Sequence, residues 1–288
     1  MQSKHKLLVA VTFLAISFAV LYSTVATSLV RHWYTDDNYS HGFLIVPLAV
    51  YLAWERRRRL LEVPPSPALV SGAIFVLGSV LVLLAGLLGA ELFLSRIAMI
   101  GTLVGGVLFV LGWQHLKLLA FPLAILLLMI PIPAILFNHI VFPLQLLASR
   151  VGEMSLSAAG IPVLREGNII TLANTTLEVA EACSGIRSLV SLLTLGIIYG
   201  YFTDTRNSIR VLVALSAIPV AIFANGLRVA GTGIAAHYYG SAAAEGFFHT
   251  FSGWFVFVAA FAMLFGVIRL LLWVAPARML PSESATAA

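Results

Sequence analysis

Long apolar runs separated by short polar stretches divide this chain from one end to the other. They lie near 7–30, 41–54, 68–90, 92–113, 118–138, 186–203, 211–230 and 249–273. Most approach or exceed the roughly 20 residues that carry a helix across a bilayer. The pattern predicts an all-α polytopic membrane protein of about eight transmembrane helices. The run at 41–54 is short for a span, and Arg96 interrupts the fourth. Pro131 and Pro133 should kink or stop the fifth, because proline removes a backbone donor. One long polar interruption remains, near 150–185. Within it, Ile161 to Leu164, Glu166 to Leu172 and Asn174 to Val179 read as short strands around turn residues. They predict a small extracytoplasmic β-hairpin-like segment near 160–180. Without a repeat, a low-complexity tract or a linker, residues 1–280 read as a single integral membrane domain. Residues 281–288, small and polar, read as a disordered cytoplasmic tail.

Composition agrees with this reading. Hydrophobic residues make up 60% of the chain and charged ones 10%, with a mean hydropathy of +1.01. These values exclude an ordinary soluble globular domain. The net charge of +5 does not point to nucleic acid, since the basic residues are scattered among short loops, where positive-inside bias accounts for them. Lys4 and Lys6 precede the first apolar run, which is too long for a cleaved signal and reads as a retained signal anchor. The block Arg56 to Arg59 is the strongest orientation signal, and its role is that of a topology anchor. With Lys117, Arg206, Arg210, Arg269 and Arg278 it puts both termini in the cytoplasm. Arg31, Arg150, Arg165, Arg187 and Arg228 then fall on the outer side. The sequon at Asn174 is a pattern common by chance.

The chemistry-bearing residues are few. Cys183 is the only cysteine, so it can form neither an internal disulfide nor a thiolate metal cage. It is either an inert small hydrophobe or a nucleophile. A following apolar helix whose N-terminus would stabilise a thiolate favours the second reading. Arg228 lies late in the seventh run and His249 opens the eighth. Cys183 precedes the sixth run, the seventh returns, and the eighth starts where the seventh ended. All three residues therefore share one membrane face, whatever the count of earlier spans. Each has a plainer role available: packing for the thiol, snorkelling to headgroups for the arginine, solvation for the histidine. An ionisable group within a span costs about 2.5–3.5 kcal/mol, however, which makes function the default reading of Arg228. Asn225, three residues earlier on the same helical face, suggests a polar pocket. A thiol, an imidazole and a guanidinium on one face are the parts of thiol acyl transfer.

Supporting or substrate-binding candidates are Glu181, Ser184, Asn225 and His41. Glu181 orients a catalytic group or pairs with Arg187. His41 binds substrate or caps a helix. The histidines (His5, His32, His41, His115, His139, His237 and His249) are dispersed, with no pair at metalloprotease spacing. No metal or cofactor is expected.

Three motifs in order carry a family resemblance: Glu-Ala-Cys-Ser-Gly-x-x-Ser at 181–188, Asn-x-x-Arg at 225–228, and His-x-x-x-Gly-Trp at 249–254. With Tyr39-Ser40-His41-Gly42-Phe43-Leu44 ahead of a span and a basic block, the chain resembles the exosortases over about 30–280. The Tyr-Ser-His-Gly stretch is most similar to the exosortase A group. The resemblance implies a cysteine protease or transpeptidase of the bacterial inner membrane, associated with surface or exopolysaccharide systems. Its partners would be exported proteins with a C-terminal sorting tail (a Pro-Glu-Pro-type motif, a transmembrane helix and a basic end), together with membrane lipid. Cys183 would be the nucleophile, Arg228 the oxyanion stabiliser or substrate-positioning group, and His249 the acid/base. The main rival is a transporter or lipid-linked saccharide flippase, which explains the spans and the intramembrane arginine but gives Cys183 no task. A scaffold subunit of an export complex is a third reading. A serine intramembrane protease lacks support, for there is no Gly-x-Ser-x-Gly.

Overall fold

The computed structural model describes residues 2–173, 175–179, 186–203, 206–240 and 247–274. Of these, the side chains of 2–8, 10, 186–188 and 247–252 lie outside the description. The chain forms two compact units, Met1–Pro133 and Ala134–Ala288.

The first unit contains α1 (Gln2–Thr35), a 3₁₀ turn (Asp37–Tyr39), α2 (Gly42–Glu55), the short α3 (Arg57–Glu62), α4 (Leu69–Leu88), α5 (Leu92–Val110), α6 (Trp113–Ile125) and a 3₁₀ extension (Leu126–Met129). Helices α4 and α5 form a tight pair, and α1 lies along α5, where the Tyr22 hydroxyl and Thr102 Oγ1 are 2.7 Å apart. At the opposite end from the chain's start, α6 meets the α1–α2 connection. Trp33 Nε1 donates to the Met129 carbonyl (2.9 Å), and the Ile132 amide donates to the Tyr39 hydroxyl (3.2 Å). Proline halts helical bonding at Pro131 and Pro133, and the freed backbone groups find these side-chain partners instead. Arg56 donates to the Leu118 carbonyl and Arg57 stacks on Trp54, 3.9 Å from the ring centroid. The basic block is thereby fastened to neighbouring helices.

The second unit contains α7 (Ala134–Ala158), a three-stranded antiparallel meander, α8 (Ile186–Thr203), α9 (Asn207–Tyr239) and α10 (Phe247–Val274). The strands are β1 (Val163–Glu166), β2 (Ile169–Leu172) and β3 (Thr176–Glu178), with Glu166 opposite Ile169 and Thr171 opposite Thr176. Close approach explains how these elements pack. A methyl built on Gly152 of α7 would stand 2.6 Å from Val229 Cγ1 of α9, and one on Gly226 would collide with Val151. Small residues thus let α7 and α9 run side by side and parallel. The sheet closes over this contact: Ile170, Leu172 and Val179 join Ala148, Leu156 and Val229 in one buried cluster. Polar ties hold it there, with Ser149 Oγ donating to the Gly167 carbonyl (3.0 Å) and Arg165 Nε to Glu153 Oε2 (2.6 Å). On its other side α9 packs antiparallel to α8 and to α10, around Leu192, Val213, Ala217, Ala221, Ala260 and Leu264.

Six helices among the described residues are long and apolar enough to cross a membrane: Val11–Thr35, Leu69–Leu88, Leu92–Val110, Ala134–Ala158, Asn207–Tyr239 and Gly253–Val274. Trp113–Met129 and Leu189–Thr203 are shorter apolar helices. The all-α polytopic expectation of about eight spans holds in kind, but its membership changes. The run at 41–54 forms a helix of only 14 residues. The polar interruption begins later than expected, because residues up to Ala158 continue as α7. The predicted hairpin is a three-stranded sheet. The expected tail at 281–288 lies outside the described residues.

Candidate active site

Arg228 sits on α9 eleven residues before the helix ends at Tyr239. Its guanidinium lies against Gly253 of α10: a methyl on that glycine would stand 3.4 Å from Nη2 and 3.6 Å from Cζ. No side chain separates the guanidinium from the α10 backbone. His249 is one turn before Gly253 on α10, so the two positions share a face. Residues 228 and 249 are thus brought to the same end of one helix pair. The side chain of His249 is outside the description.

The third helix converges on the same level. Gly196 of α8 packs against Val213 and Ala214, and Gly200 against Arg210, which fixes α8 as antiparallel to α9. Ten residues back from Gly196 is Ile186, the first residue of α8; ten residues on from Ala214 is Ala224, one turn short of Arg228. Two helix N-termini, at Ile186 and Phe247, therefore open at the end of the bundle that carries Arg228. In general a helix N-terminus and a guanidinium each favour a thiolate and a developing oxyanion. In sequence, Cys183 precedes Ile186 by three residues. Cys183, Glu181 and Ser184 lie outside the described residues, as does the Arg187 side chain that Glu181 was expected to meet.

Beneath Arg228 a cleft of about 240 Å³ separates α9 from α10. Leu227, Arg228 and Thr232 line one wall, and Phe255, Ala259 and Met263 the other. It is an apolar slot with one cation in its wall. Asn225, expected to mark a polar pocket, is 3% exposed one turn before Arg228 and is not among the residues that line this slot. Sequence reading missed Thr232, one turn after Arg228, and named Gly253 only as part of the His-x-x-x-Gly-Trp motif, without its contact to the guanidinium.

His41 belongs to the first unit. It does not cap α2 with its side chain; its Nε2 donates to the Leu128 carbonyl at 3.1 Å. Among the described residues no group of three or more His, Cys, Asp or Glu side chains is placed to hold a metal ion.

No curated protein and no solved structure matches this chain. A protein-family model does, that of the transmembrane exosortases, over residues 33–266. This match takes in the Asn225–Arg228 and His249–Gly253 pairs and most of both units. The chain belongs to the transmembrane exosortase family.

Proposed function

We propose that this exosortase is a membrane-embedded cysteine peptidase or transpeptidase. It removes the C-terminal sorting tail of exported proteins through an acyl-enzyme on Cys183, in the service of surface or exopolysaccharide assembly. The observation that carries the reading is the contact of Arg228 with Gly253, one turn from His249 and at the level where α8 begins. Family membership supports the general activity; the chemistry follows from the residue types.

The Cys183 thiol gives its proton to His249, and the thiolate sulfur bonds to the carbonyl carbon of the scissile peptide. Negative charge gathers on the carbonyl oxygen, where the Arg228 guanidinium stabilises it. The carbon–nitrogen bond then breaks, and the leaving amine takes the proton from His249. A thioester remains until an amine or water displaces the sulfur. Asn225 acts from the turn below as a polar support for Arg228. Glu181 and Ser184 flank the nucleophile, and His41 acts only as a positioning residue within the first unit. The substrate's transmembrane tail lies in the membrane plane, and the protein works in the bacterial inner membrane with both termini in the cytoplasm.

The test is coexpression of the enzyme with a tail-bearing substrate. Wild type removes the tail, and Cys183→Ala leaves it intact at equal membrane abundance. Mass spectrometry of the processed substrate reads the new C-terminus, a free acid for hydrolysis or a joined group for transpeptidation. Normal processing by Cys183→Ala would falsify the nucleophile assignment.

A further inference from the structure

Among the described residues, Arg96 is the only Asp, Glu, Lys or Arg that is fully enclosed, at 2% exposure. It lies in the second turn of α5, beside the α1–α2 connection. Its Nε and Nη2 have no hydrogen-bond partner among the described residues, and no described carboxylate is within ion-pair distance. These two nitrogens lie along one edge of the guanidinium plane, the edge that receives two oxygens side-on.

The nearby acidic groups are otherwise engaged. Glu91 is an electrostatic neighbour, but its Oε1 caps α5 by accepting from the Phe93 amide at 3.1 Å. Asp36 Oδ2 is 3.5 Å from His32 Nε2. Tyr39 is also close, and burial pushes its phenol above the usual value, so it stays neutral at physiological pH. A buried guanidinium with an open fork and no counter-charge is strongly unfavourable, and an anion supplied from outside the chain relieves it.

We infer that the Nε–Nη2 edge of Arg96 is a carboxylate-binding site. A carboxylate presents two coplanar oxygens at the spacing of this edge. The carboxylate comes from an acidic side chain of the processed polypeptide, which rests on the proposed function, or from a small free acid.

Two measurements decide the chemistry and the source. First, the purified full chain in detergent is unfolded thermally in formate and in chloride at equal ionic strength. Wild type should gain about 2–4 °C in saturating formate, Arg96→Gln nothing, and Arg96→Lys, which keeps the charge but loses the fork, less than wild type. An equal response of wild type and Arg96→Gln, or stabilisation by inorganic phosphate without formate, overturns the site. If Arg96→Gln does not accumulate, wild type against Arg96→Lys decides the same question. Second, each acidic residue flanking the tail of a coexpressed substrate is changed to its amide. A loss of tenfold or more with wild-type enzyme that is not repeated with the Arg96 variant supports the substrate side chain as occupant. Additive losses with the formate shift retained support a free acid in the same seat. Should wild type process no tail at all, the proposed function fails, and the formate measurement still decides Arg96.

Discussion

The Arg228 guanidinium packs on Gly253, and two substitutions test how large a side chain that contact admits. A methyl there would meet Nη2 at 3.4 Å, an ordinary van der Waals distance, so Gly253→Ala should fold and retain most activity. Gly253→Leu has no such room. It should push the guanidinium off α10 and cut tail processing by roughly 10²-fold or more, the scale of losing an oxyanion donor. Processing is compared per molecule of enzyme in the membrane, which separates lost chemistry from lost abundance. Equal activity of the two variants would show that the seating of Arg228 is immaterial. Sequence could suggest Arg228 because a cation within an apolar run is costly. It gave no hint of Gly253's part, since a glycine in a helix reads as a packing residue until its neighbour across the interface is known.

At the scale of elements, the sheet braces the helix that carries Arg228. Ile170 is fully buried against the α7–α9 contact, and Val229, the residue after Arg228, is in the same cluster. Ile170→Ala should therefore destabilise the unit by about 2–5 kcal/mol, the usual cost of emptying a core isoleucine. Thermal unfolding in detergent checks this; a change under about 1 °C would mean that the sheet is only a surface cover. Several elements were legible from hydropathy alone: the runs at 68–90, 92–113, 186–203 and 249–273 became Leu69–Leu88, Leu92–Val110, Ile186–Thr203 and Phe247–Val274. The strands were legible from β-branched residues between turn residues. Helix α7 was not, because Asn138, His139, Gln145, Arg150 and Glu153 dilute its hydropathy. Gln145 is buried at 8% exposure and so hidden within the fold. The end of α9 was also missed, since beyond Arg228 its alanines, glycines and threonine read as weakly apolar.

For the whole molecule, the testable quantity is sidedness. Helix α7 runs parallel to α9, so its C-terminus and Arg228 lie toward the same end of their unit. The proposed function puts Cys183 on the extracytoplasmic side. Cys183 is the sole cysteine, which makes it a clean reporter. A membrane-impermeant thiol reagent should label it in sealed cells, and Cys183→Ala should abolish the signal. Labelling only after the inner membrane is opened would put the thiol inside and overturn that orientation.

The seating of Arg228 on a glycine one turn from His249 also sets a rule for insertions and deletions. Residues added to the connection between α9 and α10 leave the spacing from His249 to Gly253 untouched. A single residue inserted between those two positions rotates His249 by about 100° about the helix axis relative to Arg228. Length variation in homologous chains should therefore accumulate ahead of Phe247 and be absent from 249–253. The angular phase of α10 is then the inherited quantity, and the length of the connection before it is free to drift.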